Sequence, residues 1–286
     1  MRFALTLVVL SGAAALPVMA QDGAKPAPVV EIYRESIKEG RGSAHEKVEA
    51  DYAAAFRKAN FPAHYVALGS MSGPGEVWFI QPMPSFAVNE EYDKTSEKEP
   101  LKSALALMDS RDGELRASSR ASWAVYRPDM SYRPEKFNPG KARYVMAGTF
   151  RVRLGHDEDF MAGAKMYFGG FAKANIDACI LAYQVVAGAP AGTYLFFTMM
   201  ESMKELDEQP ARMQAMQQAM GQENFARLMK SSGDAIVSIE DTLFQVKPGM
   251  SYPPQSIVDA DPAFWKPKAA AKPATPAPAA EKKSGQ

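Results

Sequence analysis

Three histidines, His45, His64 and His156, and one cysteine, Cys179, are the whole stock of imidazole and thiol in this 286-residue chain. They form no H-x-x-x-H, H-E-x-x-H or Cys/His cluster, so no dedicated zinc site is expected. His45 and His156 fall on predicted helices, at positions expected to face solvent. His64 differs because it opens a predicted strand. A strand histidine aimed inward could serve as a base or as an axial haem ligand, although a polar residue at a strand edge is the simpler reading. No G-x-S-x-G, P-loop or G-x-G-x-x-G is present, and Pro74 deprives Gly73-Pro74-Gly75 of an N–H that a phosphate cradle would use. Catalytic residues are therefore not assigned.

Cys179 sits in an apolar run (CILAY) and reads as an inert core thiol. Met213, Met216 and Met220 recur at three and four, the spacing of a buried helical stripe. Met199, Met200 and Met203 would suit soft copper by atom type, but methionine more often fills core gaps. Tyr65, Trp78, Tyr183 and Tyr194 lie on predicted strands and, with His64, are the candidate walls of a ligand cavity.

The elements that must position these residues come twice. Pro128-Asp129-Met130-Ser131-Tyr132-Arg133-Pro134 returns as Pro248-Gly249-Met250-Ser251-Tyr252-Pro253-Pro254, 120 positions on. At an offset of 115, Gly40, Tyr52, Phe56 and Lys58-Ala59-Asn60 fall on Gly155, Tyr167, Phe171 and Lys173-Ala174-Asn175. Such self-similarity marks one domain type written twice. Alternation in Phe150-Arg151-Val152-Arg153-Leu154 predicts a half-buried strand, and Val48, Tyr52, Ala55 and Phe56 predict an amphipathic helix. Asn60 and Asn175 stand where helix C-caps are expected. Each copy reads β-α-β-β-α-β, with strands at 30–37, 64–69, 76–81 and 122–127, and at 144–154, 178–187, 193–200 and 235–246. Helices are expected at 44–59, 90–115, 157–174 and 210–230. The fold class is α+β, with ferredoxin-like repeats at 29–134 and 142–254. The repeated P-x-M-S-Y-x-P follows each last strand and reads as a clasp on the unit it ends.

Residues 1–20 have the pattern of an export signal: Arg2, an apolar Phe3 to Leu10, then Val18-Met19-Ala20 before the cut. The expected product is periplasmic or secreted, with no membrane span. Residues 21–28 read as a flexible leader. Residues 266–286 (KPKAAAKPATPAPAAEKKSGQ) read as a disordered Ala/Pro/Lys tail. Basic and acidic residues number 33 each, which argues against nucleic acid as a partner. A small-molecule ligand is expected, and self-association is left open.

The order of elements, with the Met-x-Ser-x-x-x-x-x-Glu run after each third strand (Met83 to Glu91, Met200 to Glu208), resembles the dimeric α/β-barrel superfamily, which includes antibiotic biosynthesis monooxygenase-like domains. The resemblance covers about residues 29–254. It implies two units packed sheet to sheet round a central cavity, here as a single-chain pseudo-dimeric barrel. Its members include cofactor-free oxygenases and haem-binding or haem-degrading proteins. Three readings follow: a binder of a small apolar or aromatic molecule in the inter-sheet cavity, a monooxygenase-like or haem-handling enzyme using His64 and Trp78, and an interaction module with a solid barrel.

Overall fold

The structure, a computed structural model, describes residues 25–266. The expected export signal and the tail beyond Lys266 lie outside these residues. The N-terminal half runs β1 (Val29–Ile37), α1 (Gly42–Ala59), β2 (Val66–Ser70), β3 (Glu76–Met83), α2 (Val88–Ser96), α3 (Leu101–Gly113) and β4 (Arg116–Tyr126). The C-terminal half runs β5 (Tyr144–Val152), α4 (Asp157–Lys173), β6 (Ile180–Ala187), β7 (Thr193–Met200), α5 (Lys204–Asp207), α6 (Gln209–Met220), α7 (Gln222–Ala235) and β8 (Ile236–Val246). The eight strands close in the order β1-β3-β2-β8-β5-β7-β6-β4, every pair antiparallel. Closure leaves no sheet edge along the paired segments.

Several expected boundaries move. β2 starts at Val66, leaving His64 before the strand, and β4 starts at Arg116, six residues earlier than its apolar stretch suggests. The helical regions 90–115 and 210–230 are each broken in two, the first around Pro100 and the second at Gly221. Asn60 and Asn175 take φ of 48° and 51°, the left-handed conformation expected beyond a helix end. At the end of the leader Ala27 is buried, the Tyr183 hydroxyl donating to its carbonyl, and the Tyr126 N–H donates to the carbonyl of the exposed Pro28. Two short helices unforeseen from the sequence, α8 (Gln255–Ala260) and α9 (Pro262–Trp265), bring Trp265 into the core, its indole donating to the Gly140 carbonyl at 2.8 Å.

Strand alternation decides what the barrel encloses. On β1, Val30 and Ile32 join the interior, while Tyr33 packs on the helix side. The interior is filled by Ile32, Trp78, Tyr183, Leu195, Phe197 and Phe244, with the Trp78 and Phe244 rings 4.6 Å apart and the Arg34 guanidinium 3.5 Å over Trp78. Large apolar residues from both halves thus pack together where the inter-sheet cavity is expected.

The two seams are β4 with β6 and β8 with β2. At the first, Gly188 adopts φ +82°, and any Cβ there would strike the Ala121 carbonyl oxygen. The P-x-M-S-Y-x-P segments lock these seams, each on the opposite half rather than on its own. Ser131 Oγ accepts the Ala182 N–H at 2.9 Å, Tyr132 exchanges backbone hydrogen bonds with Ile180, and its hydroxyl donates to the Ile176 carbonyl. Ser251 Oγ likewise accepts the Ala67 N–H at 2.9 Å, Tyr252 pairs with Tyr65, and its hydroxyl donates to the Phe61 carbonyl.

Removing either serine hydroxyl leaves a backbone N–H without its partner inside the fold. Ser131→Ala and Ser251→Ala should each cost about 1–3 kcal/mol in chemical denaturation. Two variants as stable as the parent would contradict the clasp. Cys179, just before β6, has its thiol pushed up to about 11 by burial and then by Glu135. At pH 8 it should react with a disulfide reagent roughly ten- to a hundredfold more slowly than free cysteine, the rate rising toward pH 11. A rate equal to that of free cysteine would contradict this.

Candidate functional site in the N-terminal half

The helix-facing side of β1 carries Glu31, Tyr33 and Glu35, alternate residues that share one face. α1 lies over them with His45, Glu49, Tyr52 and Phe56 along one stripe, and α3 contributes Asp109 and Asp112. Arg116 opens β4 beneath both helices. Its Nη1 donates to Glu35 Oε1 at 2.7 Å and to the Tyr33 hydroxyl at 2.8 Å, and its Nη2 to Asp109 Oδ1 at 2.6 Å. His45 Nε2 lies 2.7 Å from Glu35 Oε2, 3.5 Å from Asp112 Oδ1 and 3.8 Å from Glu49 Oε1.

All four of Glu35, His45, Glu49 and Asp112 are buried, His45 at 1% exposure. His45 therefore does not face solvent as expected; Glu35 of β1 and Asp112 of α3 close over the side of α1 that the sequence alone leaves open. Two like charges about 4 Å apart repel by about 4 kcal/mol at an effective dielectric near 20. The carboxyls respond accordingly. Glu49 is pushed up to about 9 by burial, then by the charges of Glu35 and Asp112. Asp112 is pushed up to about 6 by burial and then by Glu35. Burial opposes ionisation of Glu35 too, yet hydrogen bonds from His45 and Arg116 hold it below the usual carboxylate range. Both Asp112 oxygens lack a hydrogen-bond partner.

Above this floor lies a partly open hollow of about 290 Å³, walled by Tyr52, Phe56, Phe61, Tyr65 and Phe79, with Gln81 and Glu31 at one side. It sits near the lower end of the roughly 300–1,000 Å³ typical of small-molecule pockets. Of the five side chains singled out from the sequence, only Tyr65 lines it. Trp78 and Tyr183 point into the filled barrel, and Tyr194 packs under α4 with its hydroxyl donating to Asp157 Oδ1 at 2.8 Å. His64 lies outside the barrel against Tyr252, ring centroids 4.5 Å apart, its Nδ1 buried without a partner. The structure does not bring these five together. A haem between the sheets with His64 as axial ligand does not fit: the imidazole is on the outer side, and Trp78, Phe244 and Phe197 occupy the interior.

The equivalent place in the C-terminal half is apolar. β5 and α4 follow β1 and α1 at an offset of 115, so Phe150 and Phe160 stand where Glu35 and His45 do, and Ala164 where Glu49 does. β8 follows β4 at 120, which sets Ile236 against Arg116 and Ser232 against Asp112. Phe150, Phe160 and Phe196 pack there with ring centroids 5.1–6.1 Å apart. The fold accommodates hydrophobic residues at these positions; the charged knot occurs in one half only.

No protein-family model matches the chain, and no curated protein sequence matches it. Its likeness is to solved structures. A "putative monooxygenase" from Fusobacterium nucleatum superposes with a TM-score of 0.51 at 10% identity, over 77% of this chain and 93% of that one. An anthrone oxidase-like protein gives 0.51 at 14% identity, over 79% and 92%. A chlorite dismutase variant from Candidatus Nitrospira defluvii gives 0.46 at 8% identity, over 82% and 96%. The chain is a mixed α+β fold round an eight-stranded antiparallel barrel, and its likeness to the first two of these structures is one of fold.

Proposed function

We propose that this protein binds a small molecule with a flat apolar body and a polar group, held in the N-terminal hollow between the sheet and helices α1 and α3. The observation that carries this reading is the pairing of an aromatic-walled hollow with a buried charged floor, present in one of two otherwise parallel halves. Tyr52, Phe56, Phe61 and Phe79 would take the apolar body. Tyr33, Gln81 and Arg116 would meet the polar group. In this reading the chain is a single-chain pseudo-dimer of ferredoxin-like repeats in which the second repeat has become scaffold, and the protein works after export. No helix among the described residues is long and apolar enough to cross a membrane.

An oxygenase acting on an aromatic substrate is the enzymatic form of the same reading. The names of the two neighbours at TM-score 0.51 support it only as kin in fold. The pocket chemistry supports it through the Glu35 carboxylate, which lines the hollow and is held in place by hydrogen bonds from His45 and Arg116.

Ligand-observed NMR with phenol, indole, salicylate, 2-naphthol and 2-naphthoate tests the binding. At least one should bind as a single equivalent, and Ala63→Trp, which fills the hollow, should weaken it tenfold or more, about 1.4 kcal/mol. Leu181→Val, inside the barrel, should leave binding unchanged. Probes that ignore the protein, or that bind Ala63→Trp as well as the parent, would overturn the proposal.

A further inference from the structure

We infer that Glu35, His45, Glu49 and Asp112 form a binding site for one first-row divalent cation. His45 Nε2 and one carboxylate oxygen from each of the other three all lie within 4.8 Å of one another. Around a tetrahedral ion with bonds of about 2.1 Å the ligands stand about 3.4 Å apart, so closing on an ion takes side-chain shifts of about an ångström, the 2.7 Å His45–Glu35 pair opening and the longer separations shortening. His45 and Glu49 are four residues apart on one face of α1, Glu35 is fixed by the pleat of β1, and Asp112 comes in from α3. Three rigid elements converge on one point.

Charge gives the second argument. Among the buried groups, three carboxylates face the single guanidinium of Arg116, which leaves two negative charges if all ionise. One divalent ion cancels them. Arg116 spends its best hydrogen bonds on Glu35 Oε1, Tyr33 and Asp109. Asp112, 1% exposed, has neither oxygen in a hydrogen bond: Arg116 Nε stands 3.3 Å from Oδ2 and His45 Nε2 3.5 Å from Oδ1, ion-pair distances that leave both oxygens free to ligate. A buried carboxylate without a hydrogen-bond donor is rare and costly, and a metal ion would give Asp112 a partner that it shares with Glu35, Glu49 and the imidazole.

The donor set narrows the ion. One imidazole nitrogen with carboxylate oxygens suits Mn²⁺, Fe²⁺, Co²⁺ or Zn²⁺, and no soft sulfur is present to favour Cu⁺. The apolar counterparts Phe150, Phe160 and Ala164 mean that the equivalent place in the C-terminal half offers no such site, so one ion is expected among the described residues. The inference concerns the floor of the hollow and stands whether or not an organic molecule binds above it.

The test uses the full chain freed of metal with a chelator and then titrated with Mn²⁺, following the loss of the free-ion EPR signal. One equivalent should be taken up, with spin-echo modulation from a single imidazole nitrogen, and Tm should rise by about 5–10 °C at a hundredfold excess over Kd. Asp112→Asn and Glu49→Gln, near-isosteric changes, should each weaken binding about tenfold or more. Co²⁺ gives an independent reading through its visible bands, which report imidazole and oxygen coordination in the unmutated protein even if a variant fails to fold. Saturable uptake of neither Mn²⁺, Co²⁺ nor Zn²⁺ at millimolar metal would overturn the inference. So would unaltered affinity in both variants, or a bound ion showing no nitrogen modulation.

Discussion

Three carboxylates packed within a few ångströms of one another in a dry interior repel, and the N-terminal half is arranged round the guanidinium that holds them. Arg116 bridges β1, through Glu35 and Tyr33, to α3, through Asp109 and Asp112. α1 then covers the knot with His45 and Glu49. The strand that begins with Arg116 ends in the seam with β6, and the chain continues into the first P-x-M-S-Y-x-P clasp. Charge placement and barrel closure are thus joined by one strand, and the hollow above the knot takes its shape from both.

Such a knot is not what stabilises a fold. Replacing buried ion clusters by well-packed hydrophobic residues is often neutral or stabilising by about 1–4 kcal/mol. The C-terminal half carries that replacement within the same molecule: Phe150, Phe160, Ala164 and Ile236 fill the same positions with no loss of the architecture. The presence of the charged set in one half only, beside a hollow lined by aromatic rings, is the observation on which the proposed site rests.

Much of the fold was legible because it rests on periodicity and repetition. The alternation around Phe150, the stripe of Val48, Tyr52 and Phe56, and the repeated Ser-Tyr segments each reflect local geometry that survives in the letters. The site was not legible in the same way. Glu31-Ile32-Tyr33-Arg34-Glu35 alternates as an ordinary half-exposed strand would, and only the tertiary packing of α1 and α3 turns its acidic face inward. His45 has the sequence surroundings of a solvent-facing helix residue for the same reason. The signal that could have found it lies in the repeat itself. At the offset of 115, His45 aligns with Phe160 and Glu35 with Phe150, and a charged residue whose counterpart is a phenylalanine occupies a buried position. The clasp was visible as a motif, but its reach to the opposite half depends on strand order, which no short segment encodes.

The central claim is that the charged knot serves a bound group and not the barrel. Thermal unfolding of a chain carrying Glu35→Phe, His45→Phe, Glu49→Ala, Asp112→Ser and Arg116→Ile together, the residues of the C-terminal half, tests it most directly. The account predicts a cooperative transition at a Tm equal to or above that of the parent protein. A variant that fails to fold, or that melts far below the parent, would show that the knot holds the barrel together and would contradict the account.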